Sequence, residues 1–416
     1  MNHLFSKHSK VTPEGKYIAA PRTLSKFRYI SMMLARVSIV GVAYEELAKA
    51  TTIAVRYSAV RLQGFKGDGK TEHNVLDYTM QQYRTFKALA LSYCLLWNRM
   101  YILAFIKRVQ ADIAEGGNGE GMAELHGALS GMKATSTVRA HESIEECRKC
   151  CGGQGFLTSS GIGKISPDFS EWVTVEGEQV ILSLQTARFL MKAVHEIDEK
   201  GAVSAAETVR YLAASASSPA SQAGRGLATP AGIVGWLAAR ARTIARRLTA
   251  EVDAELAKGA TFDEALNSRA VLAYRASEAH VVYVMMDNNF KAIDKYFSDK
   301  PAISKVMTRL MELYGLQEIS ENAGGWLGTV TEADVSVIDG RIRELLLAIR
   351  PDAVALVDSF GFLDMQLRST IGRKDGKVYE AIYAEAKKNP LNGPGAMVGW
   401  DALSQVQMTA CLSGCL

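Results

Sequence analysis

Cysteine is scarce in this chain: Cys94, Cys147, Cys150, Cys151, Cys411 and Cys415 are the only six in 416 residues. No charged region followed by an apolar core opens the sequence as a secretory signal would, so reduced thiols in an intracellular compartment are expected. Cys147, Cys150 and Cys151 offer half of a zinc site. With no second Cys/His pair at a fitting spacing, they read as helix and turn cysteines, and no metal is expected. An excess of charge of one sign is also missing. The 48 basic and 44 acidic residues leave a net charge of +4, too small and dispersed for a nucleic-acid footprint. No window of about 18 apolar residues lacks a charge, so no membrane span is expected. Proline is infrequent, at nine residues, and alternating apolar and polar runs are few, which argues against a β architecture.

What is present is helical periodicity. Val37, Val40, Tyr44, Leu47 and Thr51, and again Ile338, Ile342, Leu345, Leu346 and Ile349, fall on single helical faces bounded by charge. The chain therefore reads as all-α, with helices of roughly 15 to 30 residues. Glu115 to Gly121 (EGGNGEG) breaks one helix pair as an exposed loop. Between Gly201 and Thr229 the composition shifts to Ala, Ser, Gly and Pro, with SASSPASQAGRGLATP running on to Pro230. That is a linker composition. It divides residues 1–200, a first helical bundle, from residues 230–416, a second helical domain, whose tail after Asn392 carries turn residues before a last short helix. No internal repeat is evident. The basic cluster Arg240, Arg242, Arg246 and Arg247 runs round a helix and reads as a solvated face or as a docking site for an anionic partner. Arg56 reads as a surface helix arginine, and His126 and His280 as hydrogen-bonded structural histidines.

The densest pattern lies between His141 and Lys192. A Cys-Gly-Gly-Gln-Gly-Phe turn (Cys151 to Phe156) is followed by Thr-Val-Glu-Gly-Glu-Gln (Thr174 to Gln179) and then by Gln-Thr-Ala-Arg-Phe-Leu (Gln185 to Leu190). The glycine turn is not a dinucleotide GxGxxG, because no βαβ pattern surrounds it; it also suits a C-cap for the helix ending near Cys150. Glu176 stands alone at a helix entrance, with Gly177 removing bulk beside it. Such a carboxylate either complements the helix dipole or acts as a base.

This stretch resembles the C-terminal helical core of the acyl-CoA oxidases, of the acyl-CoA dehydrogenase superfamily. VTPEGKY (Val11 to Tyr17), RVSIVG (Arg36 to Gly41), RYSAVRLQ (Arg56 to Gln63) and LDYTMQQYRTF (Leu76 to Phe86) extend the resemblance upstream. RASEAH (Arg275 to His280), NAGGWL (Asn322 to Leu327), RPDAVALVD (Arg350 to Asp358), GRKDGKVY (Gly372 to Tyr379) and NPLN (Asn389 to Asn392) extend it downstream into the oxidase-type second helical domain. A full member would carry an N-terminal helical domain and a β-barrel domain before this point, so the chain is expected to be the C-terminal part of such an enzyme, whether truncated, processed or a natural half-protein.

The resemblance implies an FAD-dependent oxidation of acyl-CoA to trans-2-enoyl-CoA in fatty-acid β-oxidation, with release of hydrogen peroxide. It makes Glu176 the catalytic base, shielded from water so that desolvation raises its proton affinity. It assigns Arg61, Gln63, Gln81, Gln82, Gly152, Gly153, Glu178 and Gln179 to the cofactor, and Arg36 and Gly177 to the substrate side. Arg61 suits a pyrophosphate by its bidentate fork. Glycines in this turn face the ADP portion, commonly of a neighbouring subunit's flavin, so a homodimer or a completing partner chain is expected. Val175 and Gln179 depart from the family's aromatic and Asn. Those departures leave open a structural subunit that has lost catalysis. The resemblance implies a peroxisomal location, although Gly414, Cys415 and Leu416 match a Ser-Lys-Leu signal only at the leucine; a mitochondrial one would suit a scaffold.

Overall fold

A computed structural model describes residues 9–19, 22–115, 121–201, 206–213, 226, 229–322 and 331–393. Among the described residues the fold is all-α, relieved by two short antiparallel hairpins. In the first, β1 (Lys10–Val11) pairs with β2 (Tyr17–Ile18). In the second, β3 (Leu62–Phe65) pairs with β4 (Glu72–Asn74) through an irregular register. The first half contributes α1 (Arg22–Val60), α2 (Thr79–Ala114), α3 (Met122–Cys150), α4 (Ile162–Phe169) and α5 (Gln179–Lys200). The second contributes α6 (Pro230–Ala257), α7 (Phe262–Ser268), α8 (Ala270–Phe297), α9 (Pro301–Glu321) and α10 (Glu332–Ile349), then α11 (Ala353–Asp358), α12 (Asp364–Leu367) and α13 (Val378–Lys387). At 39 and 36 residues, α1 and α2 exceed the expected length, because neither contains a proline or a turn signal before its end.

Starts and stops follow local chemistry. Thr229 accepts a hydrogen bond from Gly232 N and precedes Pro230 at the first helical position. Thr261 with Glu264, and Thr331 with Asp334, form reciprocal capping boxes. The break between α2 and α3 falls at the glycine-rich loop, of which residues 116–120 lie outside the described ones, as do the tail from 394 and most of NAGGWL.

The core crosses the boundary at which the composition shifts. One apolar cluster runs from Val37, Leu47, Phe86 and Leu129 to Trp236, Met286, Leu316 and Ile349 without interruption. A second joins α5 to α6, α7 and α8 through Leu190, Val194, Leu248 and Ala276. Two helical segments therefore do not make two separate cores. Nor is the Ala/Ser/Gly/Pro stretch wholly a linker: Glu207–Ala213 forms a 3-10 helix with Val209 and Leu212 buried, because ETVRYLA supplies apolar residues that the flanking sequence lacks. Thr208 closes the contact, donating its N–H and its hydroxyl to Glu124 Oε1, each at 2.8 Å.

Two expectations about arginine fail for one reason. Arg56 is buried, held by Asp358 at 2.8 Å and by the Gly372 carbonyl at 2.9 Å. Arg240 and Arg242 are likewise buried, and only Arg247 of that cluster stands well exposed, paired to Glu251. Helix packing from distant segments covers faces that look solvated in sequence. The helix α2 is long and apolar enough to cross a membrane, yet 67% of its most apolar window is buried among its neighbours.

Candidate functional site

Glu176 sits at the turn between the 3-10 helix Ser170–Val173 and α5, with φ of 57°. A left-handed non-glycine residue costs roughly 1–2 kcal/mol, so the surroundings must hold it. They do so through backbone carbonyls. Arg36 on α1 donates Nε to the Glu176 carbonyl at 3.2 Å and Nη1 to Ser130 Oγ at 3.1 Å. Lys133 on α3 donates Nζ to the Val173 carbonyl at 3.1 Å and to the Gly177 carbonyl at 2.8 Å. Gly177 has φ of 114°, and a Cβ there would lie 2.6 Å from the Leu182 side chain. Glu178 caps α5, accepting from Val180 N at 2.8 Å. The Glu176 side chain itself is exposed, not shielded as expected. Val175 beside it is 40% exposed.

A second feature lies at the far end of α3. There Cys151 caps the helix and Gly152 follows at φ 59°, a left-handed C-terminal glycine of the expected kind. A cleft of about 740 Å³ opens beside it, lined by Arg61, Gln63, Gln81, Gly152 and Gly153 together with Arg84 and Lys149. Five of the eight proposed cofactor residues thus meet in one place. A Cβ on Gly152 or Gly153 would touch nothing within 4 Å, so the turn leaves its backbone open to the cleft. Arg61 donates to Tyr379 Oη at 3.2 Å, which raises its already high proton affinity. Gln81 is committed partly to structure, donating to Ser58 Oγ and to the Cys150 carbonyl.

The other three stand apart. Gln82 is buried and donates to the Leu76 carbonyl at 3.0 Å. Glu178 serves as a helix cap, and Gln179 borders a small crevice with Arg139 and Glu278. The Glu176 turn and the glycine cleft are also apart: Lys133 precedes Cys150 by about 17 residues of α3, roughly 25 Å along the axis.

The sequence reading did not single out Arg84 and Lys133. Arg84 lies three residues after Gln81, hence on the same helical face. Lys133 is the one charge in GALSGMKATST, and a lone lysine among small apolar residues was a readable signal. His280 is buried with Nδ1 3.0 Å from Tyr211 Oη, and burial pushes it down to about 3; His126 is also held low by burial and by Arg36. Both fit structural roles. Burial raises the Cys147, Cys150 and Cys151 thiols, Cys150 to about 11, which keeps them protonated and unreactive.

This helical architecture, with a carboxylate at a helix entrance and an open glycine turn, has counterparts among known proteins. Residues 29–191 match the model of the acyl-CoA oxidase C-alpha1 domain, and residues 229–406 match the acyl-CoA oxidase model. Peroxisomal acyl-coenzyme A oxidase 1 of Bos taurus is 36% identical over 403 residues, covering 94% of this chain and 59% of its own length. Acyl-CoA oxidase-2 of Caenorhabditis elegans, solved with FAD, ascaroside-CoA and ATP, is similar at a TM-score of 0.87 and 31% identity, over 97% of this chain and 60% of that one. Acyl-CoA oxidase 1 of Arabidopsis thaliana gives 0.83 and 30%, over 93% and 58%. The chain belongs to the acyl-CoA oxidase family and corresponds to its C-terminal helical domains. It spans 57–59% of the length of the curated relatives it matches.

Proposed function

We propose that this chain supplies the catalytic base and part of the flavin site of an FAD-dependent acyl-CoA oxidase of fatty-acid β-oxidation. The observation that carries the reading is the exposed carboxylate of Glu176 on a strained turn whose carbonyls are fixed by two cations. A backbone held in a sparsely populated conformation by specific contacts is a mark of a working site. Glu176 takes the α-proton of the acyl-CoA at its carboxylate. The residues of the glycine cleft would hold part of an FAD, which would supply the hydride acceptor for the β-hydrogen and the electron path to molecular oxygen. Because Glu176 is exposed, the desolvation that raises its proton affinity has to come from the bound substrate and the protein around it.

The cleft at Gly152 and Gly153 fits the ADP portion of the cofactor. Its open backbone and the cations of Arg61, Arg84 and Lys149 suit a pyrophosphate. Its distance from Glu176 favours a cleft that serves the flavin of a neighbouring subunit, hence a dimer. A peroxisomal location follows from the names of the relatives. A purely structural subunit has no use for an open glycine cradle or a pinned, strained glutamate, and that reading is not adopted.

The test is the visible absorbance of natively purified protein. Flavin bands bleached by an acyl-CoA, with bleaching lost in Glu176→Gln while the bands persist, are the expected result. A colourless protein that gains no bands on incubation with FAD refutes the reading.

A further inference from the structure

Lys133 is a fully buried lysine on the inner face of α3, placed among Gly131, Met132 and Ala134. A buried ammonium is costly unless its donors are met, and this one directs Nζ at two carbonyls on either side of Glu176, those of Val173 and Gly177. The turn between them makes no ladder of its own across Glu176. Its described backbone hydrogen bonds run from Thr174 N and Val175 N to the Glu171 carbonyl, and from Leu182 N to that of Glu178. The ammonium is therefore the bracket that closes the turn from beneath. The charged groups facing it are Arg36 from α1, Glu176 from the turn and Glu178 from the entrance of α5.

We propose that Lys133 is a positioning residue for the base: its ammonium clamps the Val173 and Gly177 carbonyls and so holds Glu176 in its left-handed conformation, with the carboxylate aimed outward. This deepens the oxidase reading and rests on it for its catalytic consequence. The clamp itself is a property of the chain alone. Burial, with Arg36 acting in the same direction, brings Lys133 down to about 8. Loss of its proton leaves an amine that donates more weakly than the charged group did, so the turn loosens as the pH rises through that value.

Amide hydrogen exchange over residues 170–182, read by mass spectrometry on the chain without flavin or acyl-CoA, tests the clamp separately from the oxidase reading. In Lys133→Met, which removes a buried charge with little change of volume, the amides of Thr174 and Val175 should exchange about tenfold faster or more. Those inside α3 and α5 should keep their rates. Thr137→Val, whose lost hydroxyl bonds stay within α3, should leave the turn at its wild-type rate. Unchanged exchange at the turn in Lys133→Met overturns the proposal, as does equal acceleration of turn and helices. In the holoenzyme the same variant should lower the rate of flavin bleaching while the acyl-CoA KM stays within about twofold. The wild-type rate should fall above pH ~8, and the variant should lack that limb. A variant that loses KM instead, or keeps the alkaline limb, refutes the positioning role.

Discussion

Replacing Arg139 with methionine should unfold both halves of the molecule more easily, and by the same amount. Arg139 lies on α3 and reaches into the second half, pairing with Glu278 of α8 at 3.0 Å and with Glu318 of α9, and donating to Tyr314 Oη at 2.8 Å. The Glu318 side chain is only 3% exposed, whereas Glu278 is 28% exposed and can rehydrate. Removing one partner of a buried pair costs about 3–5 kcal/mol, because the other charge is left without compensation. The half-hydrated Glu278 adds less than about 1 kcal/mol, and the Tyr314 hydroxyl about 1 kcal/mol. Arg139→Met should therefore destabilise by about 4–7 kcal/mol. Arg139→Met combined with Glu318→Leu should recover part of that, since both charges of the pair are gone while buried Arg240 keeps Glu278 as its counter-charge. The assay is urea unfolding followed by far-ultraviolet circular dichroism and by tryptophan fluorescence. Trp97 on α2 and Trp236 on α6 are both buried in the main core, so a shared core predicts coincident shifts. A loss below about 1 kcal/mol, at the level of a surface pair, would refute the reasoning, and so would a fluorescence transition that separates from the helical one. The pH dependence carries the same sign. Burial pushes the Glu318 carboxyl up, but Arg139 and Lys87 more than offset it and leave it below its ordinary value. Its contribution is present above the unfolded value of about 4.3 and is lost as the pH falls through the lower folded value.

Other substitutions separate packing from function. Gly153→Ala meets no atom within 4 Å, so unfolding stability should change by less than about 0.5 kcal/mol, while flavin retention in the holoenzyme should fall because the methyl group enters the cleft; retention at the wild-type level would remove the cleft from the cofactor site. Gly177→Ala, at φ of 114° and against Leu182, should cost about 1–3 kcal/mol in urea unfolding. Arg56→Met leaves Asp358 partly buried without its main partner and should lower stability by about 2–4 kcal/mol, where the surface position read from sequence would predict almost nothing. His280 is held near 3 in the folded state by burial, so stability should fall as the pH drops from about 6.5 toward 3, by at most about 1.4 kcal/mol per unit from this group. His280→Gln should flatten that slope in an acid titration of the unfolding midpoint.

Much of the candidate site was legible in the chain itself. The family resemblance of their motifs singles out Arg61, Gln63, Gln81, Gly152 and Gly153, and they line one cleft. They could be read because each motif is local: a helical face places Gln81 beside a neighbour three residues on, and a glycine turn after Cys150 ends a helix wherever that helix is packed. Gln82 was not separable from Gln81 in this way. One step of 100° round α2 turns it into the core, where its amide satisfies Leu76. The boundaries of the helices were similarly set by nearby residues, the threonine caps and prolines among them.

By itself, then, the sequence determined the all-α class, the stripes that are buried, the open glycine turn and the isolated Glu176, since all of these depend on neighbours within a few residues. Only the tertiary structure decided which charges are inside. Arg56, Lys133 and Arg240 are buried, and Arg139 largely covered, by segments far away in the chain; Asp358 lies 302 residues from Arg56, and Gly177 lies 44 from Lys133. It also decided that the glycine cleft and Glu176, close together in sequence, stand at different levels of α3, and that the two helical segments share a core. The physical reason is that burial and ion pairing are set by which surfaces meet, and long-range packing of helix faces is not encoded in any one stretch of residues.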